Sequence, residues 1–132
     1  MSIEWKYKVD LYEGALERIS NDYGVKIPDE LAELLQKANG ATPTKTKFMV
    51  NVDEKILGSI LSFNLQESEA DSFEVAMKSG FARNIIPFGI DPFGNYICYN
   101  TDNKNIIFFD HEENSGTIIT NGLQKFIDML YK

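Results

Sequence analysis

The sequence holds a single cysteine, Cys98, and a single histidine, His111. No internal disulfide can form, and one lone thiol accords with a reducing compartment. A metal site built on imidazole and thiolate lacks its ligands. His111-Glu112-Glu113 has no second histidine at the i, i+4 spacing that puts two ligands on one helix face. No metal and no cofactor are expected. No apolar run is long enough to span a bilayer, and no apolar signal core follows Met1. The chain is therefore expected to be cytoplasmic, with no membrane partner. Basic excess is also missing: 13 Lys and Arg stand against 20 Asp and Glu, a net charge of −7. Direct nucleic-acid binding needs a basic face to neutralise phosphates, so it is not expected. A basic protein partner suits this balance. The glycines at 89 and 94 form neither GxGxxG nor a Walker loop.

What is present is enough for a core. The chain has 132 residues, 43% of them hydrophobic. It reads as one domain, 1–132, that buries roughly 65–70% of its unfolded surface without staples. Trp5, Val9, Tyr12, Leu16 and Ile19 recur at steps of three and four, which predicts an amphipathic helix stopped at Asn21–Gly24. Pro28 is a good first-turn residue, and Asp29 and Glu30 suit the positive end of a second helix. Leu31, Leu34, Leu35 and Ala38 are its buried face, and Asn39-Gly40 its left-handed stop. Residues 41–47 read as a loop, Phe48–Val50 as a short strand, and Ile56–Leu65 as strand or irregular chain. Ser68–Ser79 reads as a third helix, capped by Ser68 with Asp71 and stopped by Gly80. From Ile85 the period becomes two. Ile85–Ile90, Tyr96–Asn100, Ile106–Asp110 and Gly116–Thr120 have the spacing of an antiparallel meander. Ile106–Phe109 is continuously apolar, which predicts a central strand covered on both faces, one of them by helices. Leu123, Phe126, Ile127 and Leu130 line a last helix, with Thr120 or Asn121 as its cap. The fold class is α+β: an antiparallel sheet with N-terminal, middle and C-terminal helices packed on it.

Reactive groups are few. A turn centred on Asn103 would set Cys98 opposite Phe108 and His111 opposite Asn95, so thiol and imidazole are not partners. Cys98 then reads as a small buried hydrophobe rather than a nucleophile. Tyr96, Tyr99, Phe108 and Phe109 lack the interleaved Arg and Lys of a base-stacking sheet and read as core. The carboxylates Asp53, Glu54, Glu67, Glu69, Asp71 and Glu74 lack any sign of the cleft a general acid needs. They read as a solvated acidic surface and are the expected partner-binding residues. Glu69 and Asp71 also suit the start of a helix.

The most specific stretch runs from Pro87 to Asn100. Asp91-Pro92-Phe93-Gly94 is a turn with an acceptor side chain first, a proline second and a glycine at its exit. Asp91 is expected to accept from the turn backbone. Pro87, Gly89, Asp91, Gly94, Asn95 and Cys98 together resemble the "P-[apolar]-G-x-D-x-x-GN-x-x-C" hairpin of the SUKH superfamily, the Smi/Knr-like domain. Asp110, His111 and Glu112 are similar to its "DHE" strand end. Pro28, Asn39 and Gly40 sit where its "LP…NG" helix has its ends, and Leu123 to Leu130 matches its closing helix. The resemblance covers about Tyr23 to Leu130. It implies that these motif residues are structural and that there is no catalytic machinery. It also implies function by binding: an immunity protein that neutralises a cognate toxin, as in bacterial members, or a regulatory scaffold, as in fungal ones. A basic nuclease-type toxin would suit the acidity. A small-ligand module of the same fold and a Cys98-dependent hydrolase are the alternatives.

Overall fold

A period-two pattern with one apolar face makes an antiparallel sheet. In the computed structural model, which describes residues 3–64 and 71–132, this is what the C-terminal half forms. β6 (Ile85–Ile90), β7 (Tyr96–Asn100), β8 (Asn105–Asp110) and β9 (Ser115–Asn121) run as a meander. A two-residue strand, β5 (Ser59–Ile60), joins β6, so the sheet order is β5-β6-β7-β8-β9. Strand bounds fall within one residue of those expected. The β7–β8 register does not: Cys98 lies opposite Ile107, not Phe108. The cause is the turn. Lys104 adopts a left-handed φ of 66°, and its N–H reaches the Asn100 carbonyl at 2.8 Å, which centres the turn between Asp102 and Asn103. A slip of one residue exchanges the faces of a strand. Cys98 and Ile107 therefore share the outer face, while Ile97 and Phe108 point into the core.

The inner face carries Ile86, Phe88, Ile97, Tyr99, Ile106 and Phe108, all buried. They form one cluster with Ile19 of α1 (Ala15–Tyr23), with Leu31, Leu34, Leu35 and Ala38 of α2 (Asp29–Ala38), and with Leu123 and Phe126 of α4 (Leu123–Met129). Phe126 meets Phe48 edge-on at 5.2 Å and Phe88 at 6.0 Å between ring centroids. Phe48 comes from a hairpin, β3 (Lys47–Val50) and β4 (Asp53–Ile56). Each buried phenylalanine contributes about 1.5–3 kcal/mol. Gly89 is required by a close approach: a Cβ there would stand 2.8 Å from Leu57 Cδ1. The outer face is different. β8 is next to the sheet edge rather than central, and Ile107 and Phe109 are only half-buried. Their cover is Phe81, edge-on to Phe109 at 5.2 Å and to Tyr96 at 5.8 Å. It belongs to the chain after a short helix, not to a helix.

The expected first helix is largely absent. Gly14, at φ 76°, starts α1, and only Leu16 and Ile19 of the predicted stripe lie in it. Upstream, the chain is a strap. β1 (Trp5–Lys6) pairs with β2 (Thr42–Pro43), inside the segment expected to be loop. Two buried amides then staple the strap down. Asn39 accepts from Phe63 N–H at 2.7 Å and donates to the Val9 carbonyl at 3.1 Å. Asn64 accepts from Tyr12 N–H at 2.8 Å and donates to the Asp10 carbonyl at 3.0 Å. Val9 and Tyr12 are left exposed. Pro28 stands just before α2 as its cap, and the left-handed stop is Gly40 (φ 69°).

The third helix is described only from Phe73: α3 (Phe73–Ala76) and a 3-10 turn, Met77–Ser79, ended by Gly80 at φ 86°. Its cap is Ser72, whose Oγ accepts from Val75 N–H at 3.3 Å. Ser68 and Ala70 lie outside the described residues. α4 has no side-chain cap and starts at Gly122, φ 105°. The Asn121 amide is engaged elsewhere, donating to the Asn103 carbonyl at 2.7 Å and to Asn105 Oδ1 at 2.9 Å.

Asn39→Ala strands a buried N–H and a carbonyl at once. The urea midpoint should fall by the equivalent of about 2–3 kcal/mol, with α2 still formed. An unchanged midpoint would show that the strap adds nothing to the fold.

Candidate functional site

The Pro87–Asn100 motif folds into a corner rather than a cleft. Asp91, buried, accepts from Phe93 N–H at 2.9 Å and Asn95 N–H at 2.8 Å through one oxygen. Its other oxygen accepts from the Asn95 amide at 2.9 Å. Gly94, at φ 86°, supplies the conformation that side chains resist. The Asn95 side-chain carbonyl in turn accepts from His111 N–H at 3.0 Å. His111 Nε2 donates to the Phe93 carbonyl at 2.9 Å. Asp110 accepts from Glu112 N–H at 2.9 Å and Glu113 N–H at 3.3 Å. The structure thus brings Asp91, Gly94, Asn95, Asp110, His111 and Glu112 together, joining the β6–β7 turn to the β8–β9 turn. Pro87 and Gly89 are buried in β6 behind it.

No Cys–His pair exists in this arrangement. Cys98 is fully buried opposite Ile107 and Pro87. Burial pushes its thiol well above the usual cysteine range. The imidazole that would have to activate it is bonded to the Phe93 carbonyl in the corner. A thiolate nucleophile needs an electropositive, accessible setting, and Cys98 has neither. Its neighbour Tyr99 donates to Glu30 Oε1 at 2.7 Å, tying β7 to α2. Burial first, and then that carboxylate, hold the phenol in its protonated form above the ordinary tyrosine range.

Concave surfaces lie elsewhere, and two of them stand out for their apolar lining. A cleft of about 420 Å³ opens between β1, α2 and α4, with Trp5, Leu34 and Ile127 as apolar walls and Glu30, Glu33, Lys37 and Asp128 around them. A groove of about 480 Å³ crosses the outer sheet face, floored by Cys98, Ile107 and Phe109 and flanked by Phe81 and Ile118. Neither was legible as a site, because each is assembled from segments far apart in the chain.

The expected acidic surface divides. Asp53 and Glu54 are exposed on β4, and Glu54 accepts from the Tyr131 hydroxyl at 2.7 Å. Asp71 is exposed before α3, and Glu74 is half-buried in its first turn. Glu74 also raises the Tyr23 phenol, after burial and together with Asp22. Glu67 and Glu69 lie outside the described residues. The hairpin pair has apolar company that sequence reading missed. Val52 is 88% exposed at the hairpin tip, and Met49 and Tyr131 are exposed beside Glu54. The signal was the Asn51-Val52 pair, a turn with an apolar residue at its tip.

A sequence model of the SMI1 / KNR4 family (SUKH-1) matches residues 11–129. No curated protein matches the chain. Among the described residues no helix is long and apolar enough to cross a membrane.

The buried thiol and phenol set a testable alkaline limit. Both are raised above their ordinary values of 9.0 and 10.0, so the unfolded chain gives up those protons first. The contribution of these two groups should be level below pH 9 and fall above it. Cys98→Ala should remove the part that begins near 9, and Tyr99→Phe should reduce the part that begins near 10. Urea titrations across this window measure both. A thiol reagent such as DTNB should modify native Cys98 only at the rate of opening.

Proposed function

We propose, from the premise that this chain belongs to the SMI1 / KNR4 family (SUKH-1), that it is a cytoplasmic immunity protein that binds and neutralises a cognate toxin domain with a basic, nuclease-type surface. The family includes immunity proteins of this kind, and its members act generally by binding rather than by catalysis. The observation that carries the reading to this chain is its net charge of −7, part of it displayed as Asp53 and Glu54 beside exposed Met49, Val52 and Tyr131. Acidic groups around an apolar anchor suit a basic partner. Charge steers the encounter, and desolvated apolar contacts hold it. The inert settings of Cys98 and His111 support a protein that acts by occlusion. They weigh against the Cys98-dependent hydrolase.

The cleft between β1, α2 and α4 supports a second reading, a scaffold or small-ligand module of the same fold. It combines apolar walls with both signs of charge, the make-up of small-molecule sites.

Co-expression with toxin domains from the gene neighbourhood tests the first reading. The immunity reading expects a stable complex and rescued growth; absence of both overturns it. Within such a complex, replacing Asp53, Glu54, Asp71 and Glu74 by Lys should slow association by about tenfold or more and flatten its salt dependence. Glu67 and Glu69 form a second set for the same exchange. Unchanged kinetics in both sets would move the interface elsewhere.

A further inference from the structure

A sheet edge is a row of open backbone donors and acceptors, and proteins guard such edges with charge, proline, covering elements or bulges. β9 ends the five-stranded sheet, and no strand among the described residues pairs with its outer side. None of its seven residues is buried, whereas β6, β7 and β8 each bury two or more. Its sequence, Ser115-Gly116-Thr117-Ile118-Ile119-Thr120-Asn121, has no charged residue and no proline, in a chain that is 25% charged. Ile118 is 58% exposed on it. β3 lies close to β9 without pairing with it, and a register shift falls near Ile119, which leaves Ser115–Ile118 as regular edge.

The ends of this edge carry opposite charge. The turn before it holds Glu112 and Glu113, both exposed. At its far end lie Lys104, whose carbonyl accepts from Gly122 N–H at 2.9 Å, and Lys125 in the first turn of α4, both exposed. Asp102, the acid at that end, is bonded to Asn84 at 2.9 Å. An edge with acid at its start and base at its finish is complementary to itself when turned through a two-fold axis. We propose that β9 pairs antiparallel with β9 of a second copy of this chain, joining two five-stranded sheets into one. The acidic turn of each copy then faces Lys104 and Lys125 of the other, and Ile118 is covered near the axis. At physiological ionic strength charges further apart than the Debye length of ~8 Å are largely screened, so the local pairs rather than the net charge of −7 set the register.

This association is independent of the toxin reading, and its sedimentation test needs no toxin. Sedimentation equilibrium on the intact chain, over a dilution series, should show the 15.0 kDa species doubling in mass as concentration rises. Ile118→Lys should weaken association by about tenfold or more, because it removes apolar cover and sets like charges near the axis. At concentrations where both are monomeric its circular dichroism and melting should match wild type, since Ile118 is 58% exposed. Glu112→Lys with Glu113→Lys should also weaken the dimer, and adding Lys104→Glu with Lys125→Glu to the same chain should restore it. That rescue is what a merely sticky edge would not show. A monomer at every concentration overturns the proposal, as does a dimer indifferent to Ile118→Lys or a charge reversal without rescue. If β9 amides of a monomeric chain gain hydrogen-exchange protection only when a toxin is added, the edge serves a foreign strand and the proposal fails.

Discussion

The packing of Phe88 and Phe108 from the sheet with Phe126 of α4 and Phe48 of β3 decides where the other elements go. Four rings from four elements far apart in the chain share one desolvated volume. Aromatic rings bury large areas and prefer edge contacts, so they constrain both position and angle. With β8 held against α4 and the β3–β4 hairpin, the inner sheet face is closed from one end. α2 closes it from the other, and the Tyr99–Glu30 bond fixes the helix to the strand across the core. The outer face has no comparable partner among the described residues. Phe81 alone lies across it, and this asymmetry is why a groove remains there.

The motif that most identifies the family is, in this light, backbone engineering. Asp91 spends both oxygens on the turn that contains it, and Asn95 links that turn to His111. A carboxylate with its lone pairs committed to local N–H groups is a poor base or ligand and a good brace. The corner therefore positions two hairpins, and its side chains are committed to the backbone that they brace.

What was legible in the sequence was legible for local reasons. The strands of the meander announce themselves by alternation and by glycine and asparagine turns, and α2 and α4 by stripes of leucine and phenylalanine. The failures were long-range. The 5–19 stripe has helical spacing, yet Gly14 interrupts it. The bonds that hold the strap come from Asn39 and Asn64, 30 and 52 residues away. No periodicity can report such a contact. The β7–β8 register failed by a single residue because one turn residue, Lys104, took a left-handed conformation that lysine rarely adopts. The error was small in number and large in consequence, since it paired Cys98 with Phe108 when the two lie on opposite faces. As for the site, acidity was legible in composition, but its distribution was not. Asp53 and Glu54 stand with Tyr131 at one place, while Glu74 stands with Tyr23 at another.

That distribution bears on how such a protein would hold a partner. Exposed carboxylates alone give fast but salt-sensitive encounters, and single surface ion pairs contribute little to lifetime. Apolar side chains that are exposed before binding and desolvated after it contribute more, provided that they sit among polar groups that exclude water. On the reading proposed for this chain, the β3–β4 hairpin meets that requirement, with Val52 at its tip and Asp53 and Glu54 behind it. β9 does not, because it is uncharged along its length, charged only at its ends, and carries a single well-exposed apolar side chain, Ile118. Its chemistry suits backbone pairing with a strand of matched ends, while the hairpin suits a pocket in a basic surface.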